Sequence, residues 1–268
     1  MRQRIEALDR LEMHLLPHDR GHAGEDADAA AVDVEERARA LRAALETANQ
    51  ALYRTMRQEI RRGRPSALLR HVRACEARAV VASGEGYDYL DELVGSVLRW
   101  QMPGPPQAAL EDGMVFYQPT PARHVFDLIE RAAPGAQDVL VDLGSGLGHV
   151  VLLAAICTAA RCIGIEREAA YVDSARRTAR ALRADNATFL RCDARMADFS
   201  TGTLFYFYTP FLGDVLRTVL DALRAQAALR EIRVAAFGPC MPIIAGEPWL
   251  QPAGEPETGR IALFEPRR

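Results

Sequence analysis

The sequence predicts an α/β protein: a mostly parallel sheet with helices on both faces and an antiparallel last strand, preceded by an all-helical N-terminal subdomain. Three observations predict it. Short apolar runs alternate with helix-compatible stretches between residues 138 and 237, which is the pattern of βαβ units. The first run, Asp138-Val-Leu-Val-Asp-Leu-Gly-Ser-Gly-Leu-Gly-His, turns through three alternate glycines straight into an apolar helix. Upstream, residues 1–113 carry apolar positions at helical spacing. The expected division is a helical subdomain over 1–113 and a cofactor-binding domain over 114–268.

The elements follow in order. Residues 1–16 read as a short amphipathic segment, and 17–31, rich in Gly, Asp and Ala, as a loop or disordered stretch. From Val32 to Arg62 a helix is expected, with Val34, Ala38, Leu41, Leu45, Ala48, Leu52, Met56 and Ile60 on its apolar stripe. Gly63 to Ser66 ends it, and Ser66 is the expected cap of a further helix reaching about Ala82. Another helix spans Tyr87 to Trp100, and Pro103-Gly-Pro-Pro forms a hinge. These helices are suited to recognise substrate, to cover a cofactor, or to form a homodimer; a long Arg-rich helix also reads simply as a solvated face.

Next, Pro119 and Pro121 bar a helix over the lead-in segment. Thr120 is the expected cap of the helix that opens at Pro121. Val139 to Val141 is a buried strand ending in Asp142, and His149 to Ala160 is the following helix. Arg161 to Glu166, Ala187 to Ala194, Thr203 to Tyr208 and Arg230 to Phe237 supply the next strands, with a helix over 168–184. Gly238 to Gly259 is too rich in Pro and Gly for the usual last helix, so a short turn should lead to an antiparallel strand over Arg260 to Glu265. Trp249, in that turn, is a candidate roof for a substrate pocket.

The glycine turn carries the functional signal. Glycines between strand and helix permit positive φ and let a ligand approach bare backbone, while the helix start presents unpaired N–H groups. A dinucleotide fingerprint has G-x-G-x-x-G with pyrophosphate on the helix N-terminus. Here the pattern is D-x-G-x-G-x-G. Asp142 stands where pyrophosphate would bring two negative charges, so the site suits a ligand bearing an ammonium and a sulfonium. Glu166 and Asp193 close the next two strands, where ligands of open α/β sheets bind. Glu166 is placed to accept bonds from ribose hydroxyls.

On Asp142, Gly144, Gly146 and Gly148 the sequence resembles the class I S-adenosylmethionine-dependent methyltransferases, a Rossmann-like fold. The resemblance implies S-adenosylmethionine as cofactor. It puts Asp142 near the methionine ammonium, and makes Gly144, Ser145, Gly146, Gly148 and His149 the floor. Glu166 falls at the ribose, Asp193 at the adenine amine, and the Ala194 N–H at a ring nitrogen, with Arg167 a further cofactor-binding residue. Tyr208-Thr209-Pro210-Phe211 resembles the Asp/Asn-Pro-Pro-Tyr/Phe loop of nitrogen methyltransferases, but lacks the acid or amide and one proline, which leaves the target atom open. Tyr208 and Phe211 are expected to form an aromatic rim. A Tyr117-Gln118-Pro119-Thr120 lead-in, with Gly164-Ile-Glu and Asp198-Phe-Ser downstream, resembles the non-SET histone-type and mitochondrial-type lysine methyltransferases and their bacterial relatives, over roughly residues 114–237. It implies that Tyr117, Gln118 and Thr120 fold over the cofactor's methionine end, and it favours a protein lysine as acceptor. Tyr208, Thr209 and Tyr117 are the expected catalytic residues. His149 is the one histidine in the cofactor motif, and it also reads as a plain residue at a helix start.

Other readings stay open. They are a small-molecule N- or O-methyltransferase, a nicotinamide-dependent oxidoreductase (opposed by the glycine spacing and Asp142), and a non-catalytic cofactor-binding module. The chain has 268 residues, is 49% hydrophobic and carries a net charge of −3, with a pI of about 6.1. It therefore has no overall basic field to draw nucleic acid. All 33 basic side chains are arginine, which compositional bias explains. Cys75, Cys157, Cys162, Cys192 and Cys240 form no C-x-x-C pair and are odd in number, as in a reduced, cytoplasmic protein. His14, His18 and His22 recur every four residues, but Pro17 and Gly21 break any helix that would align them, so no metal is expected. No apolar run approaches a membrane span, and the N-terminus lacks a signal peptide's apolar core.

Overall fold

The computed structural model describes residues 25–76, 86–103, 117–255 and 259–267, with part of 3–10. The three spaced histidines, the expected end of a helix at Ala82, most of the hinge after Pro103 and the side chain of Cys75 lie outside the described residues. Helix α1, Glu25–Ile60, starts inside the stretch expected to loop out. Glu25, Asp26 and Asp28 favour a helix N-terminus, and Ala27 and Ala29 to Ala31 are of the residue type with the highest helix propensity. Gly63 at φ 68° ends that helix. Helix α2, Ser66–Glu76, is capped from a distance rather than by Ser66, because the Glu59 carboxylate accepts the Ala67 N–H at 2.7 Å.

Helix α3 spans Tyr89–Leu98 and opens on a capping box, with Asp88 as cap and Asp91 returning to the Asp88 N–H. The second oxygen of Asp91 accepts the N–H of Ala122 at 2.7 Å. One carboxylate thus caps α3 and also the start of α4, Ala122–Ala132. This corrects the expectation for Thr120. Pro121 occupies the cap position without a side-chain bond, and the Thr120 hydroxyl is spent elsewhere.

The sheet contains β1 Val139–Leu143, β2 Arg161–Glu166, β3 Ala187–Arg191, β4 Leu204–Tyr208, β5 Arg233–Phe237, β6 Leu250–Pro252 and β7 Ala262–Pro266, in the spatial order β3-β2-β1-β4-β5-β7-β6. The first five strands run parallel, and β7 lies antiparallel between β5 and β6. Helices α5 His149–Cys157, α6 Ala169–Leu182 and α7 Gly213–Ala227 complete the crossovers, and α8 Met241–Ala245 follows β5. The Pro- and Gly-rich stretch after β5 therefore holds a one-turn helix and a three-residue strand where only a turn was expected. Elements that short carry no periodicity to read.

Alternation along β4 separates two cores. Phe205 and Phe207 pack with Phe199, Phe211, Val219 and Leu220 on one face. Tyr206 and Tyr208 point to the other, where Leu140, Val151 and Leu152 join Tyr53, Met56 and Leu93 of the N-terminal helices in one apolar cluster. The N-terminal helices thus close over the same sheet face that carries Asp142, since Asp142 pairs in register with Tyr206. Strand order reverses between β1 and β4, which places a ligand cleft outside their carboxyl ends.

Candidate cofactor and acceptor site

The chain leaves β1 through Gly144, Gly146 and Gly148, all at positive φ, and Gly148 serves as the N-cap position of α5. At all three positions glycine is required by contact as well as by φ. A Cβ on Gly144 would lie 2.3 Å from the Pro210 ring, one on Gly146 2.1 Å from the Tyr117 ring, and one on Gly148 2.4 Å from the Phe189 ring. The loop is pinned from β2: Glu166 accepts the Gly146 N–H at 2.9 Å and the Glu168 N–H at 2.7 Å. Burial raises the Glu166 carboxyl above the usual range, and these backbone N–H bonds pull it back.

Asp142 is the site's electrostatic centre. Its side chain is buried, and among the described residues no hydrogen-bond donor reaches it. Burial, and then the neighbouring Glu166, push its carboxyl up to about 8. A buried carboxylate without a donor is costly unless a cation arrives. Two further buried polar atoms here, Ser145 Oγ and His149 Nε2, have no hydrogen-bond partner among the described residues. A glycine cradle, an acid awaiting a cation and two orphan polar atoms fit the zwitterionic end of S-adenosylmethionine.

Across the loop, the Tyr117 hydroxyl and His149 Nδ1 lie 2.7 Å apart. The other face of His149 meets Trp100, with ring centroids 3.5 Å apart. Burial pushes the imidazole down to about 3, so it is neutral, and raises the Tyr117 phenol far above its ordinary value. Thr120 reaches Tyr206, oxygen to oxygen 2.9 Å, in a fully buried bond. This ties the lead-in strap to β4, and Tyr87 ties it to the helices by donating to the Pro119 carbonyl at 2.8 Å.

Tyr117, Gln118, Thr120, Asp142, Gly144, Ser145, His149 and Tyr208 line one cavity of about 30 Å³, together with Pro119 and Val150. Glu166, Arg167, Asp193 and Ala194 lie along the ends of β2 and β3, outside that lining. Asp193 is held in a fork by Arg195 at 2.6 and 3.0 Å, which lowers its carboxyl below the usual range. Arg167 adds positive charge beside it.

The loop after β4 departs from its expected role. Thr209 takes φ 43°, a strained value for a residue with a Cβ. Its hydroxyl turns away from the cavity, donating to the Phe237 carbonyl at 3.4 Å and accepting the Cys240 N–H at 3.1 Å. The Thr209 N–H in turn faces Cys240 Sγ at 3.3 Å. Phe211 belongs to no rim. It is buried edge-on to Phe207 at 6.3 Å, in the apolar cluster that holds Phe205 and Phe207. The aromatic partner of Tyr208 is Phe237, stacked at 5.2 Å and 25°. Sequence reasoning missed Trp100, Tyr206, Phe237 and Cys240. Only Tyr206 had a signal, as the residue two before Tyr208 on the same strand face.

Among the described residues no group of His, Cys, Asp and Glu is arranged to hold a metal ion, and no described helix is long and apolar enough to cross a membrane.

Residues 115–200 match the family model described as Histone methylation protein DOT1. No curated protein matches the chain. Among solved structures, the chain is similar to an RNA methyltransferase from Salinibacter ruber in complex with S-adenosyl-L-homocysteine. Identity there is 29%, over 55% of this chain and 92% of that one, with a TM-score of 0.45. It is also similar to geranyl diphosphate C-methyltransferase from Streptomyces coelicolor (23%, 43% and 41%, 0.37) and to TrmN from Thermus thermophilus (21%, 55% and 49%, 0.44). The chain spans less than half the length of these last two. The sheet is parallel over its first five strands with an antiparallel β7, as the sequence predicted, and the segment matched by the family model contains the lead-in strap, the glycine loop, Glu166 and Asp193.

Proposed function

We propose that the protein is an S-adenosylmethionine-dependent methyltransferase acting on nitrogen, with a lysine side chain of a protein as the favoured acceptor. The observation that carries this reading is Asp142: a buried carboxylate without a donor, at the end of β1 and against a glycine loop. An ammonium satisfies it and a pyrophosphate does not. The glycines and His149 would form the floor, Glu166 and Arg167 the ribose end, and Asp193 and Ala194 the adenine end. Bound there, the cofactor supplies a methyl group already activated on a sulfonium, so the protein needs to orient the acceptor and exclude water.

This chain's residues suit those two tasks. Residues 117–120 of the strap and Tyr208 line the cavity, with Trp100 packed on His149 and Phe237 on Tyr208. Among the described residues no arginine lines the cavity, so none of them offers a cationic partner for a phosphate there. A cationic acceptor must arrive neutral, and an apolar aromatic slot promotes this by lowering an amine's pKa. His149 is neutral, but its Nδ1 is engaged by Tyr117, which fits orientation better than proton transfer. The family match over 115–200 supports a protein acceptor.

The test is transfer of radiolabelled methyl groups from S-adenosylmethionine into lysate separated into protein, nucleic-acid and small-molecule fractions. Label on lysine in the protein fraction is expected. Label confined to small molecules would replace the acceptor while keeping the cofactor, and no label in any fraction would leave a cofactor-binding module.

A further inference from the structure

We propose that Tyr117 occupies the cofactor seat in the ligand-free protein and must swing out before the cofactor enters, so that binding runs through an opening step held back by the Tyr117–His149 bond. The inference rests on the proposed cofactor.

The cavity at the Asp142 end, about 30 Å³, has room for ~2 water molecules, less than the amino-acid end of the proposed cofactor occupies. Something must therefore move. Three side chains press on the glycine loop, Pro210 on Gly144, Tyr117 on Gly146 and Phe189, which is buried on β3, on Gly148. Pro210 is held, because Thr209 before it is bonded from backbone and side chain to Cys240 and Phe237. Tyr117 is the movable one. It is half-buried, lies on a strap without regular structure, and is fixed by its hydroxyl, which meets His149 Nδ1 at 2.7 Å and the Leu147 backbone, and by ring contact with Tyr171 at 5.1 Å. Its neighbours on the strap are anchored independently, through Pro119 to Tyr87 and Thr120 to Tyr206. The Tyr117 side chain can thus turn while the strap stays in place. Release also frees His149, whose ring packs on Trp100, so the opening is reported to the N-terminal helices.

Stopped-flow binding of S-adenosylhomocysteine, followed by Trp100 emission in a Trp249→Phe background of the full chain, reads this step. The wild-type rate should level off with ligand concentration at the opening rate. Tyr117→Phe keeps the ring and removes the hydroxyl contact, and should raise that plateau roughly three- to tenfold. Tyr117→Ala should abolish the plateau. A rate that rises linearly with concentration in all three proteins, or a plateau unchanged by both substitutions, would overturn the proposal. Failure of the wild type and of folded Tyr117→Ala alike to retain labelled S-adenosylhomocysteine in equilibrium dialysis would instead overturn the cofactor reading itself. Retention by Tyr117→Ala but not by the wild type would support both.

Discussion

The pH dependence of cofactor affinity is set by Asp142. In the ligand-free protein its carboxyl is raised to about 8 by burial and by Glu166. Below that pH the group carries a proton, whereas an ammonium needs it ionised. Binding must then release the proton, and affinity should rise with pH up to about 8 and level off above it. For a free value near 8 the ratio of affinities at pH 8 and pH 6 is (1 + 10²)/(1 + 1), or about 50-fold, provided the bound carboxyl stays ionised throughout. At pH 7 about 0.9 proton should leave per ligand bound. S-adenosylhomocysteine is the suitable ligand, because its amine stays largely protonated over this range. Isothermal titration at pH 6, 7 and 8, in buffers of different ionisation enthalpy, reads both quantities, and Asp142→Asn should bind weakly with a flat profile. Affinity constant within twofold from pH 6 to 8, with no buffer-dependent heat, would refute the placement of a cation at Asp142.

The same carboxyl acts oppositely on folding. A folded-state value above the unfolded one means that stability is lost as pH rises from about 4 towards 8, so ligand-free Asp142→Asn should melt higher than wild type at pH 8, with the gap closing towards pH 4 in thermal scans. Gly146→Arg would drive a long side chain into Tyr117 at a position of φ 53° and should abolish retention of labelled S-adenosylhomocysteine in equilibrium dialysis. Asp91→Ala removes the acceptor for two helix starts, and urea unfolding should show a loss of about 1–3 kcal/mol. Thr120→Val leaves the Tyr206 hydroxyl buried and unbonded, with an expected loss of about 1–3 kcal/mol in urea; Thr120→Ser, which keeps the hydroxyl, should recover most of it.

Much of the frame was legible because its determinants are local. Apolar runs closed by Asp142, Glu166 and Tyr208 marked strands and their carboxyl ends. Alternate glycines allowed no other reading than a tight strand-to-helix turn. Less was legible where an element is too short for periodicity, as with α8 and β6, or where a cap comes from far along the chain. Glu59 and Asp91 displaced Ser66 and Thr120 from the capping roles their own sequence context suggested. In the loop after β4, Thr209 and Phe211 had the residue types of a reactive loop, yet their side chains went to Cys240 and the core.

Taken by itself, the sequence determined where the five parallel strands fall along the chain, the glycine loop and the acids at three strand ends, since each depends on backbone preferences within a few residues. Only the tertiary structure decided what faces that loop. Parallel register sets Tyr206 beside Asp142, the strap then crosses to Tyr206 through Thr120, and Tyr117 comes to rest on Gly146 and His149. The physical reason is that buried polar atoms take partners wherever packing brings them, and packing joins segments that lie tens of residues apart.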